Sequence, residues 1–182
     1  SYNKVNLVPF GEFLPFERTL SLIGLKTITN NYQSYSRGKK RNIIEVNKIN
    51  FSLKLLPLIC YEIIYTGNIF KSTDFDFIVN ISEDGWFGQS IGPHQHFAHS
   101  IYRAIESGKY VLRSANNGIA AIVNPLGVVE KQVDLNQSGF VDLFETKKIE
   151  PTIFSKYGNK IFASIILLYI SLIFSFNRIK NE

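Results

Sequence analysis

The only cysteine of the 182-residue chain, Cys60, is the side chain best suited to nucleophilic chemistry. It directly follows an apolar run, residues 53–59, which is typical of a buried strand. At the end of such a strand the sheet would fix the cysteine while its sulfur faces a cleft. The alternative is a buried structural cysteine, because free cysteines are among the most buried residues in proteins.

Three histidines, His94, His96 and His99, stand near the start of a predicted helix and suggest two further kinds of chemistry. His96 and His99 are three residues apart and could share one helix face, as metal ligands do. Their spacing matches no standard zinc pattern, so we favour surface or hydrogen-bonded histidines and predict no metal. One of them could instead activate Cys60 as in cysteine proteases, although no local protease signature accompanies the pair.

Two charged residues, Lys4 and Glu12, flank a short strand-like segment at 5–8 that Pro9 and Gly11 interrupt. From residue type alone they are two surface charges. The net charge of +5 is modest, and its one basic cluster lies at residues 37–41. We interpret this cluster as a solvated loop rather than a nucleic-acid site, although an anionic membrane surface would also suit it.

The elements that would position these residues alternate between strands and helices. Apolar runs predict strands over 5–8, 43–46, 49–53, 53–59, 75–81, 110–113, 119–123, 128–133 and 139–144, with turns at 47–48, 116–118 and 124–127. Helical spacing predicts a helix or packed loop over 13–28, a short helix over 64–71, and a helix that Pro93 opens and Gly108 ends. Loops are predicted at 29–41, 82–88 and 150–159. The pattern predicts an α/β or α+β sandwich with a helical tail.

Length and composition indicate one folded domain. Hydrophobic residues make up 45% of the chain and charged residues 19%, which excludes a disordered polypeptide. The chain contains no methionine and begins with Ser1, so we expect it to be the C-terminal part of a longer protein. A single cysteine cannot form an internal disulfide, so cysteine usage does not indicate the redox compartment.

One segment near the C-terminus favours a membrane. Residues 161–177 carry no charge, and Lys160 and Arg178 bracket them. As a helix these residues would rise about 25 Å, at the short end for a membrane span. The alternative is a buried globular helix, and the basic residues at both ends leave the orientation undecided. We therefore divide the chain into a domain at 1–159, a transmembrane helix at 160–178 and a short tail at 179–182.

Five blocks of sequence stand out between residues 2 and 160. They are Tyr2-x-Lys4-x-x-Leu7-Val8-Pro9-Phe10-Gly11-Glu12, Ile59-Cys60-Tyr61-Glu62-Ile63, Asp84-Gly85-Trp86-Phe87-Gly88-x-Ser90-x-Gly92-Pro93-x-Gln95-His96, Arg103-Ala104-x-Glu106 and Leu112-Arg113-x-x-Asn116-Asn117-Gly118. In order and spacing they resemble the nitrilase (carbon–nitrogen hydrolase) superfamily, in the form used by the apolipoprotein N-acyltransferase family. Five blocks in register are a specific signal, whereas each alone would be weak.

This resemblance implies an α-β-β-α sandwich outside the bacterial cytoplasmic membrane, with a Glu-Lys-Cys triad and no cofactor. Cys60 would take an acyl chain from a phospholipid as a thioester and pass it to the N-terminal amine of a diacylated lipoprotein. Lys4 would stabilise the thiolate and the oxyanion, and Glu12 would be the supporting carboxylate. The resemblance further implies that Tyr61, Glu62 and Trp86 shape the substrate-binding pocket, and that the partners are lipids and a lipoprotein rather than nucleic acid.

The chain departs from the family pattern in two respects. The glutamate that acts as general base belongs to an earlier motif, and Glu17, Glu45 and Glu83 stand in other contexts, so we expect the isolated chain to be inactive. Glu83 also occupies a position where the family usually has Asn. Two alternatives to the acyltransferase stay open: a carbon–nitrogen hydrolase acting on amides, which would not need the apolar tail, and an inactive truncated remnant.

Overall fold

The computed structural model describes residues 1–22, 34–49, 51–67, 73–147 and 149–180. Single 3₁₀ turns follow two of the strands, at Cys60–Ile64 and Gly85–Phe87. The helices and strands are α1 Glu17–Leu22, β1 Ile44–Lys48, β2 Phe51–Ile59, β3 Phe77–Glu83, α2 Gly92–Ser107, β4 Tyr110–Asn116, β5 Ala120–Val123, β6 Val129–Val133, α3 Ile153–Tyr157 and α4 Lys160–Lys180.

The six strands form one mixed sheet in the order β1-β2-β3-β4-β5-β6. Strands β2, β3 and β4 are parallel, whereas β1 pairs antiparallel with β2, and β5 and β6 extend the other side antiparallel. The carboxyl ends of the three parallel strands therefore meet at one edge, where open α/β sheets bind their ligands. Cys60 follows β2 at this edge, and Glu83 ends β3. The predicted fold class is confirmed.

Helix α2 covers one face of the sheet. Leu58, Ile78 and Val111 are fully buried on this face and pack with Phe97 and Ala104 of α2. Burial of each large aliphatic side chain contributes about 1.5–3 kcal/mol. This layer gives the parallel strands a rigid backing, so the side chains at their carboxyl ends are held in fixed positions.

The opposite face of the sheet is apolar but only partly covered. Leu55, Val79 and Leu112 point to this side and are half-buried, and Ile81 is 59% exposed. A row of apolar side chains along neighbouring strands is typical of a face that packs on another layer. The two-sheet sandwich that the resemblance implies would supply that layer.

The prediction of α2 is confirmed at both ends. Pro93 lies in its first turn, and Gly108 ends it with a left-handed φ of 67° while its N–H bonds to the carbonyl of Ala104 at 2.9 Å. The strand pair before Cys60 is also confirmed, but the turn predicted at 47–48 is wrong. Both residues belong to β1, and Lys48 pairs with Phe51.

The strand predicted at residues 5–8 is wrong. Its backbone N–H groups bond to side chains instead of to a neighbouring strand: those of Val5 and Asn6 donate to Glu62, and that of Val8 donates to Glu12. Because these carboxylates satisfy the backbone, the segment needs no ladder partner.

Two predictions near the C-terminal end of the domain are also wrong. Residues 139–144 form no strand, and Phe140 and Phe144 are more than four-fifths exposed, so their apolar character did not reflect burial. The loop predicted at 150–159 contains α3, which Thr152 caps by accepting a hydrogen bond from the Ser155 N–H. The helix predicted over 64–71 and the second half of the segment at 13–28 lie largely outside the described residues.

Helix α4 runs for 21 residues, which is about 31 Å at the usual rise and matches the hydrocarbon thickness of a bilayer. Within it, Lys160–Asn177 is long and apolar enough to cross a membrane, judged by length and composition. None of the Lys160–Asn177 window is buried within the described structure, and among the described residues α4 is the one helix that meets this criterion.

Candidate active site

Cys60 occupies a tight turn between β2 and the 3₁₀ segment that follows. Its φ of 50° lies in the left-handed region, which is unfavourable for a residue with a side chain and persists only where its surroundings enforce it. Two contacts do so: the N–H of Ile59 donates to the Glu62 carboxylate at 2.8 Å, and the carbonyl of Cys60 accepts from His96 Nε2 at 3.3 Å. The thiol is only partly buried, which argues against a purely structural cysteine.

The Cys60 side chain lines a cavity of about 360 Å³ at the carboxyl edge of the sheet. This volume is within the range of small-molecule sites. Most of the exposed wall surface is apolar, although six of the thirteen lining residues are titratable. The residues that matter for chemistry or shape are Glu12, Cys60, Tyr61, Ile64, Glu83, Trp86, Phe87, His96 and His99.

The two predicted charged residues form one unit. Lys4 Nζ lies 2.7 Å from Glu12 Oε1, and both side chains are mostly buried, at 11% and 21% exposure. The other oxygen of Glu12 accepts from the Val8 N–H at 2.9 Å, which fixes the carboxylate. Glu12 lines the cavity with Cys60, whereas Lys4 is not among the described residues that line it. Lys4 therefore contacts Glu12, a residue of the cavity wall, rather than lining the cavity itself.

Glu62 is fully buried and is not among the described residues that line the cavity. It accepts hydrogen bonds from the Tyr2 hydroxyl and from the N–H groups of Val5, Asn6 and Ile59, at 2.8–3.1 Å. These bonds tie the segment that carries Lys4 to the turn that carries the cysteine. The geometry makes Glu62 a positioning residue, and its predicted contact with substrate stays a prediction.

Tyr61 and Trp86 both line the cavity, and their predicted contact with substrate stays a prediction. Tyr61 packs edge-to-face on Tyr65 with ring centroids 5.5 Å apart. Burial and the neighbouring Tyr65 raise the pKa of the Tyr61 hydroxyl, so it stays protonated at neutral pH. Trp86 lies on the 3₁₀ turn after β3 and is 75% exposed, which places a large apolar surface at the cavity wall where it meets solvent.

Sequence reasoning missed a buried polar network beneath the cysteine. Asp84 is fully buried; its Oδ1 accepts from Ser82 at 2.7 Å and lies 2.8 Å from His96 Nδ1, and its Oδ2 lies 2.6 Å from Arg113 Nη2. Arg113 also bonds to Asn80 and, through Nε, to the carbonyl of Ile119. A charged residue inside a buried strand was the available signal, because Arg113 needs a buried partner.

The electrostatics of this network favour the ionised form of Asp84. Burial alone raises the pKa of Asp84, but the hydrogen bond from His96 and the charge of Arg113 outweigh it and hold that pKa below its usual value. Burial lowers the pKa of Arg113, against the opposing attraction of Asp84 and of a Cys60 thiolate. The interpretation of His96 as a hydrogen-bonded histidine is confirmed. No group of three potential metal ligands occurs in the described part of the chain.

Fold and cavity together define a class of protein: an α/β sheet that presents one strained cysteine in a pocket at the ends of its parallel strands. The family described as "Carbon-nitrogen hydrolase" matches residues 1–143. The chain belongs to this family, and the resemblance inferred from the five blocks is confirmed.

Curated relatives narrow the comparison. The apolipoprotein N-acyltransferase of Rickettsia bellii (strain RML369-C) is 43% identical over 100% of this chain and 35% of its own length. The apolipoprotein N-acyltransferase of Rickettsia typhi (strain ATCC VR-144 / Wilmington) is 39% identical over 95% of this chain and 35% of its own length. The apolipoprotein N-acyltransferase of Rhizobium leguminosarum bv. trifolii (strain WSM2304) is 42% identical over 77% of this chain and 26% of its own length. The chain spans about a third of the length of its first relatives and corresponds to their C-terminal part.

A solved structure also matches. A mutant of an amidase from Nesterenkonia sp. AN1, with acrylamide added at its active-site cysteine, gives a TM-score of 0.42 at 13% identity. The match covers 56% of this chain and 42% of that one.

Proposed function

We propose that the chain is the catalytic C-terminal part of an enzyme that moves an acyl chain from a phospholipid to the N-terminal amine of a lipoprotein. The observation that carries this proposal is the strained Cys60 turn, which opens into a mainly apolar cavity. The names of the relatives and the apolar helix α4 support the same function.

The proposed reaction has two steps. The general base takes the proton of the Cys60 thiol, and the thiolate attacks an ester carbonyl of the phospholipid, so that a C–S bond forms and the ester C–O bond breaks. The departing alkoxide takes that proton from the base. The neutral amine of the acceptor then attacks the thioester, forming the amide as the C–S bond breaks, and the proton lost by the nitrogen passes to the base. The thiolate is regenerated, and no cofactor enters the balance.

Lys4 and Glu12 have separate parts in this proposal. Lys4 supplies positive charge that favours the thiolate and the oxyanion, and the backbone N–H of Tyr61 donates to the same oxyanion. Glu12 holds the Lys4 ammonium through the 2.7 Å ion pair, and the Val8 N–H fixes the Glu12 carboxylate by donating to its other oxygen. Removal of one oxyanion donor typically costs about 10²–10³ in rate.

The apolar wall of the cavity suits the acyl chain. Ile64, Phe87 and the exposed Trp86 contribute this wall beside Cys60. We propose that the donor chain lies along these residues, with Tyr61 beside the reacting carbonyl. Because hydrocarbon lacks polar groups, this recognition constrains chain length and shape rather than chemistry.

Helix α4 supports a location at a membrane. We propose that residues 160–178 anchor the chain in the bacterial cytoplasmic membrane and that the domain at 1–159 lies on its periplasmic side. A bilayer anchor keeps the domain at the surface where both lipid substrates reside.

The general base lies outside residues 1–182 in this proposal. Glu12 and Glu83 both line the cavity, but Glu12 is paired with Lys4, and both oxygens of Glu83 accept hydrogen bonds, from the Gly85 N–H and the Asn116 amide, so both are poorly suited to take a proton. Purified residues 1–182 should therefore show no turnover. Acyl transfer by this chain alone, abolished by Cys60→Ala, would contradict that statement.

The direct test uses the full-length protein with phospholipid and a diacylated lipopeptide. We expect the peptide to gain one acyl group by mass, and the gain to vanish in Cys60→Ser. An amidase is the rival, since the family acts on carbon–nitrogen bonds by description. Release of ammonia from amides, without peptide acylation, would favour the amidase, and neither activity would indicate an inactive remnant.

A further inference from the structure

Glu83 is a second carboxylate in the wall of the Cys60 cavity, and the proposed reaction has not used it. It is the last residue of β3, the strand parallel to the one that ends before Cys60. Its backbone oxygen lies 4.0 Å from Cys60 Sγ. Glu83 is therefore a close neighbour of the atom that would carry the acyl group.

The Glu83 carboxylate is held by neutral donors. Oε1 accepts from the Gly85 N–H at 2.8 Å, and Oε2 accepts from Asn116 Nδ2 at 2.5 Å. Within the described ranges, no Lys, Arg or His forms an ion pair with it, whereas Glu12 is paired with Lys4. The hydrogen bonds fix the carboxylate but leave its negative charge uncompensated.

The two histidines of the cavity do not supply the missing cation. Both ring nitrogens of His96 are engaged, with Asp84 and with the carbonyl of Cys60. Burial, together with the positive charge of Arg103, lowers the pKa of His99, so its ring is neutral at pH 7. Glu83, an exposed residue of the cavity wall whose backbone oxygen lies beside Cys60 Sγ, therefore carries a fixed carboxylate that forms no ion pair within the described ranges.

We propose that Glu83 binds the ammonium group of the amine acceptor and selects a cationic acceptor over a neutral one. This inference rests on the proposed function, in which a primary amine must reach a thioester on Cys60. An α-amino group is mostly protonated at neutral pH and would arrive as a cation. Glu83 would hold the ammonium close to the thioester carbonyl; the ammonium releases one proton to solvent water, and the neutral amine that results attacks the carbonyl.

A phospholipid with an amine headgroup offers the same ammonium chemistry. The headgroup belongs to the fragment that leaves when the thioester forms, whereas the acceptor amine must stay at the Cys60 carbonyl. The position of Glu83 beside the sulfur therefore favours the acceptor. The two sources are separate arms of the test.

The experiment measures binding without chemistry, in full-length protein carrying Cys60→Ala. The probe is a water-soluble S-alkylcysteine tetrapeptide with a C-terminal fluorophore, with either a free or an acetylated N-terminus, followed by fluorescence anisotropy. We expect the free-amine peptide to bind about two- to fivefold more tightly at low salt, and added salt to reduce that ratio. In Glu83→Gln, which keeps the length of the side chain, the ratio should fall to about one.

The matched control is Glu45→Gln, which removes the same charge from an exposed position on β1 and should leave the ratio unchanged. Equal binding of the two peptides to the protein with native Glu83 overturns the proposal even if the Gln variant fails to fold. A ratio that survives in Glu83→Gln overturns it as well. The proposal is also overturned if Glu83→Gln weakens the binding of short-chain phospholipids with an ethanolamine headgroup, relative to those with a glycerol headgroup, and leaves peptide binding unchanged.

The proposed function is judged by a different measurement. Acylation of the lipopeptide by the enzyme with Cys60 intact can fail while the anisotropy ratio stands, or succeed while the ratio is one. The first result removes the acyltransferase and leaves an amine site beside Cys60. The second keeps the acyltransferase and removes the role of Glu83.

Discussion

Replacing Glu62 with Gln perturbs the contact that joins the two halves of the candidate site. The buried carboxylate accepts from Tyr2, Val5, Asn6 and Ile59 and lies 3.6 Å from Arg41. Gln keeps the size of the side chain but turns one oxygen into a donor. Whichever oxygen is replaced, at least one backbone N–H then faces another N–H.

The magnitude follows from the bonds that this exchange breaks. If the new NH₂ group replaces Oε2, only the bond from Ile59 is lost outright, because the Tyr2 hydroxyl also lies 2.9 Å from Oε1. A hydrogen bond to a charged group is worth about 1.5–3 kcal/mol, and a buried donor left unsatisfied costs about 1–3 kcal/mol. We expect a loss of roughly 3 kcal/mol, which lowers Tm by about 6–12 °C for a domain of this size.

The assay is thermal unfolding of Glu62→Gln beside Glu45→Gln, which removes an exposed charge on β1 and should change Tm by less than about 2 °C. Iodoacetamide labelling of Cys60 adds a local readout, since a looser turn should change its rate. An unchanged Tm for Glu62→Gln would refute the reasoning, because it would mean that the carboxylate is not the acceptor for these N–H groups.

Three further predictions test the buried network around Asp84, the close contact between Gly118 and Asp84, and the membrane anchor at α4. The lowered pKa of Asp84 contributes stability that is fully present above its unfolded value near 4 and is lost as the pH falls further, so acid titration should destabilise wild type more steeply than Asp84→Asn. Gly118→Ala would place its Cβ against the Asp84 carboxylate, and we expect it to cost about 1–3 kcal/mol in urea unfolding, whereas an unaltered midpoint would exclude that contact. Expressed as residues 1–182, the chain should sediment with the membrane, and deleting residues 160–182 should move it to the soluble fraction. Retention of the shortened chain in the membrane would contradict an anchor at α4.

Local pattern predicted the elements whose burial is periodic. The apolar run before Cys60 was read correctly because it is an inner strand of the sheet, and the stripe of α2 because it packs on that sheet. The segment at 5–8 was misread because its backbone bonds to Glu62, more than fifty residues away in sequence. No local pattern contains such a partner.

The residues of the candidate site also fall into two groups: those that local sequence identified and those whose role depends on distant contacts. Cys60, Lys4 and Glu12 were found because their residue types are rare or charged in recognisable blocks. Asp84 and Arg113 stood in such blocks too, but their contact joins the ends of β3 and the middle of β4 across 29 residues. Only the register of the parallel strands brings them together beneath the cysteine, so chain order alone gave neither a role.

The central claim is that Cys60 carries the acyl group, and intact-mass analysis of the full-length protein after incubation with phospholipid tests it most directly. The account predicts a mass gain of one acyl chain that hydroxylamine removes and that Cys60→Ser lacks. A folded protein that gains no acyl group, or gains one that persists in Cys60→Ser, would contradict it.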